Sequence, residues 1–144
     1  MTPEERAEKS AAAMWASDAA SKWVGMRLDA VGPGTATLSM EIEAHHLNGH
    51  GICHGGFIFM LADSAFAFAC NSYNALAVAQ DNSITFLSPG VAGETLIAKA
   101  TEAARQGRSG VYDVSVTGRD ERKIALFRGL SRTVQGQHFE EDTS

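Results

Sequence analysis

A single carboxylate interrupts the most apolar stretch of this chain. Asp63 lies within FIFMLADSAFAFAC, residues 57–70, with Ser64 as its only polar neighbour. A carboxyl in such surroundings is costly unless it is paired, hydrogen-bonded or shifted towards neutral. That misfit marks a functional-site candidate; the alternative is a buried structural carboxylate held by local amides. Just before the run stands NGHGICHGG, residues 48–56, in which Gly55 and Gly56 allow a turn and the close approach of another group. Cys53 beside His54 raises a Cys–His nucleophile, but adjacent side chains in an extended loop point apart and no third member is evident. His45, His46 and His50 raise a metal site, yet no Cys or acidic ligand accompanies them at a useful spacing, and solvent-facing loop histidines are the safer reading.

The elements that must position these groups follow from the pattern. Residues 57–70 have the length of a helix, and their apolar members run all round it, as in a buried helix. Thr2, Pro3, Glu4 and Glu5 make a strong helix start, and that first helix is expected to run to about Trp23, with Gly25 as its stop. A short strand is expected at 26–28 and another over 35–42. After Asn71 the chain turns β-like: 76–87 with a bulge or change of face at Gln80-Asp81-Asn82, then 95–104, 111–117 and 123–134, linked by Gly-rich turns. The polar, acidic residues 135–144 are expected to be disordered. One helix, a strand, a buried helix and about four more strands predict an α+β domain, a curved antiparallel sheet wrapped around the central helix.

Composition narrows the function. The chain has 144 residues and a net charge of −5, with no basic cluster suited to nucleic acid or an anionic membrane surface. The apolar run is too short for a membrane span. The charged first residues lack a secretory core, so a cytoplasmic protein is expected, with Cys53 and Cys70 as reduced thiols.

With these residues in view, the chain resembles the hotdog-fold acyl-CoA thioesterases, most of all their phenylacetate-degradation (PaaI-type) branch. The resemblance rests on NGHGICHGG, LADSAFAFACNS, SITFLSPGVAGE and IALFRGLS, and covers nearly all of the chain beyond the first helix. HGG followed by an acidic residue on the same helix is its specific part. It implies an N-terminal helix over 1–24, a hotdog domain over 25–134 and a tail over 135–144. It implies hydrolysis of an acyl-CoA, with an aromatic acyl group of phenylacetyl or hydroxyphenylacetyl type, and no metal or cofactor beyond the coenzyme A of the substrate. By the same resemblance Asp63 is the catalytic carboxylate, as general base on water or as nucleophile. The Gly55 amide polarises the thioester carbonyl, and His54 and Asn48 support the loop and position substrate or water. Gly56, Phe57, Gln80, Asp81, Asn82 and Arg108 are the expected substrate contacts, Arg108 being a candidate for the coenzyme A phosphates together with Arg105, Arg128 and Arg132. Where some relatives carry a catalytic Ser or Thr, this chain has Ala79, which can donate no hydrogen bond.

The chemistry sets a geometric condition. Helix N-terminal amides are otherwise unsatisfied and sit at the positive end of the dipole, so they suit a developing oxyanion. From Gly55 to Asp63 a helix rises about 12 Å. Groups acting on one carbonyl must come within about 3–3.5 Å of it. The two residues of one chain therefore cannot share a site, whereas a twofold homodimer that opposes Asp63 to the partner subunit's Gly55 creates two equal ones. A homotetramer of two such dimers is the family expectation. The rival functions are a hydratase or dehydratase on the same fold, and a non-catalytic acyl-CoA binding protein.

Overall fold

A computed structural model of the chain describes residues 1–141. Helix α1 (Pro3–Ser17) begins with a reciprocal cap: Thr2 Oγ1 accepts the Glu5 amide and the Glu5 carboxylate accepts the Thr2 amide. The expected single helix is in fact two. Asp18 accepts the Ser21 amide through its side chain, at 2.9 Å, and so starts a new helix, α2 (Ala19–Val24), which Gly25 ends at φ +99°.

Strands β1 (Met26–Gly32) and β2 (Thr35–Glu41) follow, the first longer than the sequence pattern suggests. A one-turn 3-10 helix (Ala44–His46) and a loop lead to helix α3 (Gly55–Cys70). Then come β3 (Ala77–Phe86), β4 (Thr95–Gln106), β5 (Ser109–Thr117) and β6 (Lys123–Thr133). All pairings are antiparallel, and the six strands form one sheet in the order β1-β2-β4-β5-β6-β3. The sheet curls around α3, whose Leu61, Ala62, Ala65 and Ala69 are fully buried. A curved antiparallel sheet around one central helix is the hotdog fold that the resemblance implies. Phe66 shows the closeness of the packing: a Cβ on Gly129 of β6 would lie 2.8 Å from its ring. Truncating such a ring to alanine costs about 3–5 kcal/mol.

Residues 135–141 differ from the expected disorder. Asn74 at φ 58° turns its side chain to the Phe139 carbonyl (3.1 Å) and the His138 amide (2.9 Å), and His138 Nε2 lies 2.8 Å from Asn71 Oδ1. Arg6 of α1 meets Glu141 at 2.7 Å. The polarity that suggested disorder is thus used on the end of α3; the remaining residues of that expectation, 142–144, lie outside the described residues. No helix among the described residues is long and apolar enough to cross a membrane.

The order of strands leaves β3 at an edge, ten residues long, with Val78 and Phe86 in it, and Leu87 just after it, about half exposed. An edge of that length with apolar side chains is a template for pairing.

Candidate active site

Two groups of residues gather on α3. The first is its N-terminus. His54 is the N-cap, and its Nδ1 accepts the Gly56 amide at 2.8 Å. The His54 amide is held by the His46 carbonyl at 2.8 Å. His46 is not the solvent-facing residue expected from its place in a loop: it is fully buried, with Nε2 at 2.8 Å from the Val24 carbonyl and Nδ1 accepting the Glu43 amide. Asn48 Oδ1 accepts the amides of His50 (2.9 Å) and Ile52 (3.3 Å) and so shapes the loop that carries the helix start. Among the described residues the Gly55 amide meets no acceptor, which leaves an N–H free at the positive end of the helix.

A cleft of about 330 Å³ opens in front of that amide, lined by Asn48, Ile52, Ile58, Phe86, Leu87 and Pro89. Its far wall is braced by a residue the sequence reading passed over. Glu94, with a fully buried side chain, accepts the Val91 amide (2.7 Å), the Arg119 amide (2.8 Å) and Arg122 Nη2 (2.7 Å). Arg122 also donates to the Pro89 carbonyl at 2.8 Å. Burial works to raise the Glu94 pKa, but the two amides and Arg122 outweigh it and hold the carboxyl below its ordinary value. Its partners lie 3 to 28 positions away, so no local pattern announces them.

The second group is Asp63. It is half-buried, and Asn82 Nδ2 of β3 donates to its Oδ1 at 2.8 Å. Burial pushes its pKa up, and the hydrogen bond from Asn82 pulls it part of the way back. Gly56, Met60 and Asp63 fall at helical spacing on one face of α3. Gly56 and Met60 line a shallow cleft of about 300 Å³ with His54 and Phe57. Phe57 packs its ring edge-on to His46, with centroids 5.0 Å apart.

The remaining candidates spread out. Gln80 is the unpaired residue of a β-bulge, and Ala79, Gln80 and Asp81 are exposed on the edge strand. Arg105 stacks at 3.6 Å over the Tyr73 ring, and Arg128 clamps Asp113 through two bonds of 2.7 and 2.9 Å. Arg108 is exposed in the turn between β4 and β5, beside Arg132 of β6, which pairs with Ser109. Cys53 is buried while His54 is exposed. Burial and the charge of Glu94 push the Cys53 thiol up to about 11, so it is no thiolate nucleophile at neutral pH.

Comparison with known proteins places the chain in a family. The family described as Thioesterase superfamily matches residues 50–125. The acyl-coenzyme A thioesterase PaaI of Escherichia coli (strain K12) is 43% identical over 131 residues, which cover 91% of this chain and 94% of that protein. The structure of the E. coli PaaI protein from the phenylacetic acid degradation operon superposes with a TM-score of 0.92 at 41% identity, covering 94% of this chain and 99% of that one. A Streptococcus mutans protein bound to acetyl CoA superposes with a TM-score of 0.75 at 25% identity, covering 78% of this chain and 91% of that one.

Proposed function

This chain belongs to the thioesterase superfamily and is a thioester hydrolase acting on acyl-CoA, and within that activity we propose an aromatic substrate of the phenylacetyl type, with Asp63 as general base. The observation that carries the reading is the half-buried Asp63 carboxylate, held by Asn82 on a helix whose first amide is free.

Asp63 takes a proton from water, and the water oxygen attacks the thioester carbon. The carbonyl oxygen gathers negative charge and is met by the Gly55 amide. The C–S bond breaks, and the proton passes from Asp63 to the departing sulfur, giving the free acid and coenzyme A. A preorganised amide at a helix start is suited to the oxyanion, and losing one such donor costs about 10²–10³ in rate in known systems.

Both groups sit on one helix eight positions apart. The rise of about 12 Å between them is why the site needs two subunits, Asp63 of one facing Gly55 of the partner subunit. Support comes from the free, partly apolar edge of β3. A twofold axis through the middle of β3 would bring the Val78 end, where Arg108 and Arg132 lie, next to the partner subunit's Gly55. Two arginines there would meet the coenzyme A phosphates. The same reading extends to a homotetramer of two dimers, working in the cytoplasm, as the resembled branch implies.

The aromatic preference draws on the cleft beside Gly55. Its walls of Ile52, Ile58, Phe86, Leu87 and Pro89 enclose about 330 Å³, and an apolar cavity of about 150 Å³ is enough for benzene. The likeness to a protein of a phenylacetic acid degradation operon points the same way. The test is free-thiol release from phenylacetyl-CoA and from straight-chain acyl-CoAs. A higher kcat/KM for phenylacetyl-CoA supports the reading, and an equal or higher value for the straight chains sinks it.

A further inference from the structure

Strand β3 changes face in mid-course. Ala79 pairs with Ser131 and Asp81 with the next residue back, Leu130, so Gln80 is an extra residue. Before it, Ala77 is on the half-buried side; after it, Asn82 and Ile84 are half-buried and Phe86 closes on Gly55, while Asp81, Ser83 and Thr85 are exposed. Side chains alternate along a strand, so without the bulge the alternation begun at Ala77 would turn Asp81 towards α3 and Asn82 away. A second carboxylate would then face Asp63, and like charges disfavour ionisation.

What faces Asp63 instead is an amide used at one end only. Asn82 Nδ2 donates to Asp63 Oδ1, whereas Asn82 Oδ1 is buried and accepts nothing among the described residues. Most buried polar atoms of amides held for packing find a partner. This one keeps a donor aimed at the carboxylate and forgoes the other bond. A protonated Asp63 could still accept that N–H through its carbonyl oxygen, but the bond is charge-assisted and strongest when Asp63 is ionised. The contact therefore matches the anion.

The surroundings offer no substitute. Cys70, further along α3, interacts with Asp63, but its thiol is pushed up to about 12 and stays neutral. Ser64 pairs with Ser21 of α2 at 3.2 Å. The buried polar groups of the packed strands are Ser39 of β2, Ser131 of β6 and Tyr112 of β5, and Tyr112 with Tyr73 is spent on Glu102 of β4. His46 and Glu94 are held in the loops near the start of α3.

We propose that Asn82, turned towards α3 by the bulge at Gln80, is a positioning residue that fixes the Asp63 side chain and keeps it the anion that hydrolysis uses. This rests on the reading of Asp63 as base. The net shift of the Asp63 pKa is upward and is set by burial, and Asn82 is the group that works against it.

The experiment uses the full chain with Asn82→Leu, Asn82→Thr and Asn82→Asp. Two quantities are followed against pH: kcat/KM for an acyl-CoA, and the ¹³C resonance of the Asp63 carboxyl, assigned by its loss in Asp63→Asn. Asn82→Leu should move both midpoints to higher pH, Asn82→Asp should move them further, and Asn82→Thr, which keeps a donor, should return them towards wild type. Circular dichroism checks that each variant is folded. Midpoints unchanged in folded Asn82→Leu and Asn82→Asp overturn the proposal. A carboxyl midpoint that moves while the rate profile stays put supports the Asn82–Asp63 coupling and overturns instead the role of Asp63 as base.

Discussion

The Gly55 backbone faces the Phe86 ring so closely that a Cβ at position 55 would come within 3.1 Å of Phe86 Cζ. Phe86 is half exposed and at the end of an edge strand, so the ring can give way without unfolding the protein. The helix start and the cleft wall would shift instead. Gly55→Ala should therefore lower kcat by about 10-fold to 100-fold with little loss of stability, because small misplacements of a positioned donor are expensive in rate. Adding Phe86→Leu should recover part of the loss. Steady-state kinetics of the single and double variants decide it; an unaffected Gly55→Ala enzyme would show that the contact with Phe86 does not set the position of that amide.

Asp63→Asn should cost activity and add stability. Removal of a general base lowers the rate by about 10²–10⁴. Burial raises the Asp63 pKa above its ordinary 3.8. A carboxyl shifted in that direction favours folding while protonated, and that contribution fades as pH rises through the folded value. At neutral pH the folded protein bears an ill-solvated anion that the variant lacks. Thermal melts should show Asp63→Asn above wild type at pH 7, with the gap closing towards pH 4. A variant that melts lower at pH 7 would contradict this.

Subunit mixing tests whether the site is shared. Asp63→Asn and Gly55→Val should each be nearly inactive alone. In a heterodimer, one of the two sites combines the intact Asp63 with the intact Gly55. Random reassociation should then restore about a quarter of wild-type activity, since half of the dimers are mixed and each holds one good site. No recovery, with exchange verified by mass, would place both groups in one subunit.

The Glu94 cluster predicts a stability that depends on acid. Its amide and arginine partners hold the pKa below the ordinary 4.5, so its contribution is present above that value and is lost as pH falls through the lower folded one. Glu94→Gln should destabilise by about 2–3 kcal/mol at pH 7, less than a wholly buried pair because Arg122 is partly exposed. Urea unfolding at pH 7 and pH 3 should show the two proteins converging at the lower pH. A constant difference would mean that the Glu94 charge is not what holds the loop.

What the sequence could show was local or periodic. Residues 57–70 announced a buried helix by their length and all-round apolarity, and Gln80-Asp81-Asn82 announced a break in the alternation of β3. The pairings were out of reach because their members are far apart in the chain: Asp63 with Asn82, Gly55 with Phe86, Glu94 with Arg122. His46 misled because a histidine in a polar loop resembles its neighbour His45, and only the Val24 carbonyl distinguishes the buried one. The expected single helix to Trp23 broke at Asp18 because that short polar side chain caps a second helix, through a turn with Ser21 that no periodicity announces.

Strand β3 leaves the ribosome well before β6, the strand it pairs with among the described residues. Its partner β6 begins at Lys123, after β4 and β5 have been made. At about 5–20 residues per second the interval lasts on the order of seconds. Throughout it, the margin of β3 that β6 will cover stands without that strand in a nascent chain. A slowdown of translation between Phe86 and Lys123 would prolong that exposure, and the yield of native protein should fall first there.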